Sequence, residues 1–180
     1  MGAGSMKIEF LKERYDFELK RSDQLTSELP LPVGVLSGLG GLMAAMVRSF
    51  PNKTVWLTVP FGVAFALDVV AFFYCLVYLA RAYHRQKYMF LPPLSELEAW
   101  EQEFRSFLDR EDIVVEEVVI TPEESFDIHL RERIIQAADR NSMNNEYRSG
   151  LLHRARVGLF AVLICTTAAG VLYVLDQVVK

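Results

Sequence analysis

"TVWLTVPFGVAFALDVVAFFYCLVYLA", residues 54–80, is an almost uninterrupted apolar stretch with one charged side chain, Asp68, close to its middle. The hydrocarbon core of a bilayer is about 30 Å thick and needs roughly 20 helical residues to cross it. The stretch therefore predicts a transmembrane helix. Because it exceeds that minimum, we expect the helix to tilt or to extend into water.

Two further uncharged runs, residues 29–47 and 157–175, flank this stretch along the chain. Each is long enough to cross a bilayer as a helix. Pro30 and Pro32 fit the first turn of the earlier run, where backbone N–H groups have no helical partner. We therefore predict a membrane hairpin at 30–80, with spans at 30–47 and 54–80, and a third span at 157–176.

Composition agrees with a membrane protein whose charged and apolar residues are segregated. Hydrophobic residues make up 52% of the chain, and the formal net charge of −4 gives no reason to expect nucleic-acid binding. Cys75 and Cys165 both lie in apolar runs, which predicts neither a disulfide framework nor a metal site. The first five residues, MGAGS, look like residues left by a cloning vector.

Arginines at the ends of the spans predict the orientation of the chain. The predicted membrane-interface set is Arg81, Arg85, Arg148, Arg154 and Arg156. The turn between the first two spans and the C-terminal tail carry few positive charges. By the positive-inside rule, the N-terminus and residues 81–156 lie in the cytoplasm, and the C-terminus lies outside a bacterial inner membrane.

The predicted cytoplasmic parts are mainly helical. Residues 6–29 form an amphipathic helix whose apolar positions are Ile8, Leu11, Tyr15 and Leu19. In the cytoplasmic domain, 81–156, we expect the second span to continue as helix to about Phe90. A second amphipathic helix should follow at 95–110, then a short strand at 113–120, "IVVEEVVI", and a helix from Pro122 that runs into the third span. The predicted fold class is thus a mainly α integral membrane protein with three transmembrane helices and a helical cytoplasmic domain containing one short strand.

Small residues recur at helical spacing in the first span. They are Gly34, Ser37, Gly38, Gly40, Gly41 and Ala44. Such spacing places small side chains on one helix face and allows another backbone to approach closely. The partner is either the second span of the same chain or another subunit.

Asp68 is the sharpest candidate for a functional polar group. A carboxylate in the middle of a membrane span is costly unless it is paired, protonated or hydrated. It either lines a pore or proton-sensitive path, or joins two spans by a hydrogen bond. Its possible partners are Ser37, Thr166, Thr167 and Tyr74, of which Thr166 and Thr167 are the other predicted intramembrane polar residues.

Arg148 and His153 form an R-x4-H spacing that some helical ribonucleases use, with histidine exchanging protons and arginine stabilising charge on a phosphate. Five residues on a helix correspond to about 500° of rotation, so the two side chains diverge by some 140°. The spacing therefore fits a basic collar better than a site within one chain. We predict no enzyme activity, no cofactor and no metal.

The order of elements, with "ERYDFELKRSDQLTSELPLPVGVLSGLGG" (13–41) and "NNEYRSGLLHRAR" (144–156), resembles the small bacterial membrane effectors of the SLATT type. It is also similar in plan to the CRISPR type VI-B accessory membrane pore protein. The resemblance implies an oligomeric inner-membrane effector that permeabilises the bilayer in antiviral, abortive-infection type defence. Its partners would be the lipid bilayer, further copies of the chain and a cytoplasmic defence-system protein. The alternatives are a membrane-anchored adaptor or sensor that binds a cytoplasmic protein, and a membrane-tethered ribonuclease using Arg148 and His153.

Overall fold

The computed structural model describes residues 7–49, 55–84, 87–110 and 122–178. These residues form five α-helices: α1 Ile8–Ser27, α2 Pro30–Ser49, α3 Val55–Tyr83, α4 Leu94–Arg110 and α5 Pro122–Val178. The prediction of a mainly α-helical chain is confirmed. The described ranges contain no strand, and the strand predicted at 113–120 lies outside them, so that detail of the fold class has no support.

Three helical stretches of the described chain are long and apolar enough to cross a membrane: Ile8–Ser49, Trp56–Tyr83 and Phe126–Val178. The three predicted spans lie in these stretches in the predicted order, in α2, α3 and the second half of α5. The prediction of a membrane protein with three spanning helices is therefore confirmed by length and composition.

The connection that follows α3 differs from the prediction. We expected helix to about Phe90, but α3 ends at Tyr83, and residues 87–93 have no regular secondary structure. The backbone of this segment is bonded to side chains of α1 and α5 instead of to its own preceding turn. By contrast, the predicted helix start at Pro122 is confirmed, and α5 continues from it without a break into the third apolar run.

The chain divides into two compact units. The first unit comprises residues 1–22 and 86–145, and the second, which we call the membrane unit, comprises residues 23–85 and 146–180. The core of the first unit is buried Leu11, Tyr15 and Ile134 with two alanines of α5. Ile8 and Leu19 pack against it, so all four apolar positions predicted for the N-terminal amphipathic helix face this core.

The membrane unit is built on an antiparallel contact between α3 and α5. The Cys75 thiol donates a hydrogen bond to the Ala155 carbonyl at 3.2 Å, and Asp68, seven residues earlier, is bonded to Thr166. The main apolar cluster adds residues of α1 and α2 to this contact. Its buried members are Leu25, Leu29, Leu36, Cys75, Leu79, Ala82, Leu151, Leu152, Ala155 and Val162.

Candidate functional site

The candidate site is the pair formed by Asp68 of α3 and Thr166 of α5. The Thr166 hydroxyl donates a hydrogen bond to Asp68 Oδ2 at 2.8 Å. The Asp68 side chain is 0% exposed and Thr166 is 3% exposed, so the pair is enclosed within the membrane unit. Asp68 Oδ1 has no hydrogen-bond partner among the described residues. A single hydroxyl is a weak match for a buried carboxyl group, which can accept several hydrogen bonds.

The other groups predicted as partners of Asp68 have different contacts. Ser37 donates to the Val33 carbonyl of its own helix at 2.9 Å, and Thr167 donates to the Leu163 carbonyl at 2.7 Å.

The ring of Tyr74 lies against that of Tyr78, with 4.6 Å between their centroids. Of the four predicted partners, the structure brings Thr166 to Asp68 in the described arrangement. The pore-lining role of Asp68, Thr166 and Thr167 remains a prediction.

A second buried carboxyl group, Asp176, was not predicted as a site. It lies near the end of α5 and is 0% exposed, and neither carboxylate oxygen has a hydrogen-bond partner within the described part of the chain. It occupies the same helical stripe as Thr166 and Ala169, at intervals of three and seven residues. The signal available in the sequence was its position at the end of the third apolar run, which resembles an ordinary polar boundary residue.

The small residues of α2 divide into two groups. Gly40 lies against α3, since a Cβ atom added there would be 3.2 Å from the Phe72 ring. In contrast, a Cβ atom added at Gly34, Gly38 or Gly41 would meet no atom of the described residues within 4 Å. Ser37 and Ala44 are also exposed. One glycine of the predicted set thus packs on the chain's own second span, while the others leave an open surface.

The open glycines share one side of α2. Successive helical residues are about 100° apart, so Gly34, Gly38 and Gly41 fall within about 60° of one another, opposite the buried Leu36 and Met43. We call Gly34, Gly38 and Gly41 the outer glycine face. It is the surface of α2 that turns away from the core of the membrane unit.

The five arginines of the predicted membrane-interface set, which we call the basic collar, differ in their exposure. Arg81, Arg154 and Arg156 are exposed. The Arg154 guanidinium lies 5.7 Å from the Tyr78 ring centroid, and Arg156 forms an ion pair with Glu28. Arg85 lies outside the described residues.

Arg148 differs from the rest of the collar because it is held inside the membrane unit. It is 6% exposed, and its guanidinium donates to the Ala82 carbonyl at 3.3 Å and to the Thr26 hydroxyl at 3.1 Å. This contact set joins the ends of α1 and α3 to α5, so it does not present the guanidinium to lipid headgroups. His153, by contrast, is exposed, so the two side chains have different surroundings.

The first unit contains hydrogen bonds between asparagines of α5 and residues 87–89 that the sequence did not reveal. We call this set of bonds the polar clasp. Asn141 pairs with the backbone of Met89, accepting from its N–H at 2.9 Å and donating to its carbonyl at 3.0 Å. Asn144 donates to the Lys87 carbonyl, and the Tyr88 hydroxyl donates to Asn145 Oδ1 at 2.7 Å. Amide side chains of α5 therefore bind the backbone of Lys87 and Met89, in a segment without regular secondary structure.

Glu18 completes the polar interior of the first unit. It is fully buried, and its carboxylate pairs with Arg14 at 2.7 Å and accepts from the Asn145 amide at 3.0 Å. Arg21 lies 3.8 Å away on the other side. A buried carboxylate with these partners is a structural feature, because its charge is compensated in place.

His129 of α5 stacks on Trp100 with 4.5 Å between ring centroids. No group of three or more histidine, cysteine, aspartate or glutamate side chains that could hold a metal occurs in the part of the chain that the structure describes. Comparison with known proteins adds no further assignment: no family model, no curated protein and no solved structure matches this chain.

Proposed function

We propose that this chain is an oligomeric inner-membrane effector of the SLATT type, which perturbs or permeabilises the bilayer in bacterial antiviral defence. The observation that carries the proposal is the outer glycine face of α2. Glycines on the lipid-facing side of a spanning helix bury no apolar side chain, yet they allow a second helix to approach closely. A face of this kind supports assembly of several copies.

Assembly is also what a conducting path would require. Three spanning helices without an internal repeat are too few to enclose a path within one subunit. Asp68 supplies a polar group near the middle of α3, where ion pathways commonly place their ionisable residues. In the described arrangement this carboxyl group is enclosed by α3 and α5, so a path lined by Asp68 needs these helices to separate at Thr166.

Release of a trapped dye from liposomes of bacterial lipid tests the proposal. We expect the purified wild-type protein to release the dye, and Gly38→Leu to release much less at equal protein content. Gly62→Leu is the matched control, because Gly62 is exposed on α3 and an added Cβ atom there also meets nothing within 4 Å. The proposal would be contradicted if liposomes with the wild-type protein retained the dye, or if the two variants released equal amounts of dye.

Asp68→Asn then separates the two roles of Asp68. The amide keeps an oxygen that can accept the Thr166 hydrogen bond, so we expect the protein to remain folded and oligomeric. If Asp68 lines the path, the variant alters ion selectivity or dye release. Unchanged ion selectivity and dye release would indicate that Asp68 only joins α3 to α5.

The proposed orientation, with the C-terminus outside, has its own test. The exposed arginines at the ends of α3 and the third span support cytoplasmic placement of the segment between them. A reporter enzyme that is active only outside the inner membrane, fused to Lys180, should be active. A silent reporter on a fusion that is present in the membrane would overturn the orientation.

A membrane-anchored adaptor is the second candidate, and it is favoured by the exposed aromatic residues of α1. Phe10 and Phe17 are 54% and 52% exposed and lie two turns apart on one face of the helix. An adaptor predicts no dye release from liposomes, together with loss of phage protection when both residues are changed to serine. The effector proposal predicts dye release that persists in that double variant.

A further inference from the structure

A groove in the membrane unit lies between the start of α2 and the third span of α5. Its volume is about 440 Å³, and its walls are mainly Leu31, Leu159, Phe160 and Leu163. One end carries Glu28 and Arg156, which form an ion pair. The groove is therefore apolar along its length and charged at one end.

The charged end coincides with the boundary of the apolar runs. Glu28 immediately precedes the first run, and Arg156 immediately precedes the third. In a bilayer these two side chains lie at headgroup level, while Leu163 lies nearly two helical turns deeper than Arg156. A groove that is charged at headgroup level and apolar below it matches the polarity of a lipid headgroup and the first part of its acyl chain.

The ion pair is accessible to a headgroup. The Arg156 and Glu28 side chains are 52% and 47% exposed, so each can form further hydrogen bonds while they contact one another. Together they present a positive and a negative group side by side with no net charge. This pattern complements a headgroup that is itself zwitterionic.

We infer that the groove binds a zwitterionic aminophospholipid of the surrounding bilayer. One acyl chain lies along Leu31, Leu159 and Leu163, the phosphate binds the Arg156 guanidinium, and the primary ammonium donates to the Glu28 carboxylate. Arginine matches phosphate oxygens in a two-point geometry, and ammonium-to-carboxylate bonds are charge-assisted. The inference rests on the chain spanning a bilayer and does not depend on pore formation.

The same chemistry disfavours the other common headgroups. The phosphate of a phosphoglycerol headgroup would bind Arg156. It would also place a negative charge beside Glu28, with no ammonium group to compensate that charge. A quaternary choline nitrogen has no N–H to donate to Glu28. The site should therefore prefer phosphatidylethanolamine over both.

Native mass spectrometry of the detergent-purified protein with equal amounts of phosphatidylethanolamine, phosphatidylglycerol and phosphatidylcholine tests the inference. We expect phosphatidylethanolamine to be retained about fivefold to tenfold over each of the others, as one additional hydrogen bond at a partly exposed site implies. Glu28→Gln should move the preference to phosphatidylglycerol, because the charged end of the groove then carries only the positive charge of Arg156. Glu146→Gln is the control, since Glu146 is an exposed acid of the same unit that does not line the groove.

A second pair of variants tests the apolar part of the groove. Leu163→Trp fills the groove and should reduce retention of all three lipids. Ile164→Trp is matched to it, because Ile164 is the adjacent residue, 69% exposed and outside the groove. Equal retention of the three lipids by the wild-type protein, or equal effects of the two tryptophan variants, would overturn the inference. Dye release from liposomes is measured separately, so the failure of one proposal is distinguishable from the failure of the other.

Discussion

Two helix surfaces of the membrane unit use small and polar residues in opposite ways. At the α3–α5 contact, Gly158 allows backbones to meet, and Asp68 and Thr166 form a hydrogen bond that no solvent reaches. On the outer glycine face of α2, no part of the chain that the structure describes lies against the glycines. The first surface is completed within one chain, whereas we propose that a helix of another subunit covers the second.

We therefore expect the α3–α5 contact to stabilise the subunit and the outer glycine face to assemble subunits. In lipid, helices associate through close packing and interhelical hydrogen bonds, since burial of apolar surface offers little there. Changes at the α3–α5 contact should therefore lower the stability of each subunit. Changes at the outer glycine face should lower self-association and leave the subunit intact.

Gly158→Leu should have the largest effect on stability. An added Cβ atom at Gly158 would lie 3.0 Å from the Tyr74 ring and 3.2 Å from the Cα atom of Cys75, and a backbone atom cannot move aside cheaply. We expect a loss of about 3 kcal/mol in the free energy of unfolding, the upper part of the range for overpacking. Unfolding in mixed detergent–SDS micelles measures it. A stable Gly158→Leu protein would mean that α3 and α5 do not pack as described.

Arg148→Ala should follow, with a loss of about 2 kcal/mol, because it removes charged hydrogen bonds to the Ala82 carbonyl and the Thr26 hydroxyl. His153→Ala is the comparison variant and should change neither stability nor dye release, since His153 is exposed. The same micelle titration measures both. RNA cleavage that is lost in both variants would instead revive the ribonuclease alternative.

Thr166→Val should cost about 1 kcal/mol, a typical value for one hydrogen bond between spanning helices. The substitution keeps the shape of the side chain and removes the donor to Asp68. Thr167→Val is the control, because the Thr167 hydroxyl bonds to its own helix. Equal losses for the two variants would show that the bond to Asp68 contributes nothing specific.

Gly38→Leu should have the smallest effect on the subunit, within about 0.5 kcal/mol of the wild-type free energy of unfolding, as expected for an open surface position. Gly62→Leu on α3 should behave identically in this measurement. A large destabilisation by Gly38→Leu alone, at a dilution where the wild-type protein is monomeric, would mean that the outer glycine face is used within the chain.

Apolar run length was sufficient to predict the helices of the membrane unit. Uncharged runs of this length have one stable solution in lipid, in which each backbone group is bonded within its own helix. The predicted start at Pro122 and the apolar stripe of α1 also depend on local signals, a helix-compatible proline and a 3.6-residue period. Thr166 was among the predicted partners of Asp68, but its selection over Ser37 and Thr167 depends on how the helices rotate against one another.

Features that depend on distant residues were not predictable. The polar clasp pairs Asn141 with Met89 across 52 residues, and Asn145 also bonds to Glu18 across 127 residues. In the sequence the asparagines look like an ordinary polar helix face, and residues 87–91 look like a continuation of α3. The side-chain amides of the asparagines bond the backbone of this segment in place of intrahelical hydrogen bonds. A local sequence pattern does not encode such long-range pairs. For the same reason, Arg148 resembled its exposed neighbours and could not be recognised as a buried joint.

The number of subunits per particle in lipid nanodiscs tests whether the outer glycine face assembles the chain, when Gly38→Leu and Gly62→Leu are measured beside the wild-type protein. We expect particles of several copies for the wild type and for Gly62→Leu, and smaller particles for Gly38→Leu. A wild-type protein that remains monomeric in nanodiscs and in detergent, or a Gly38→Leu variant that assembles like the wild type, would contradict this expectation.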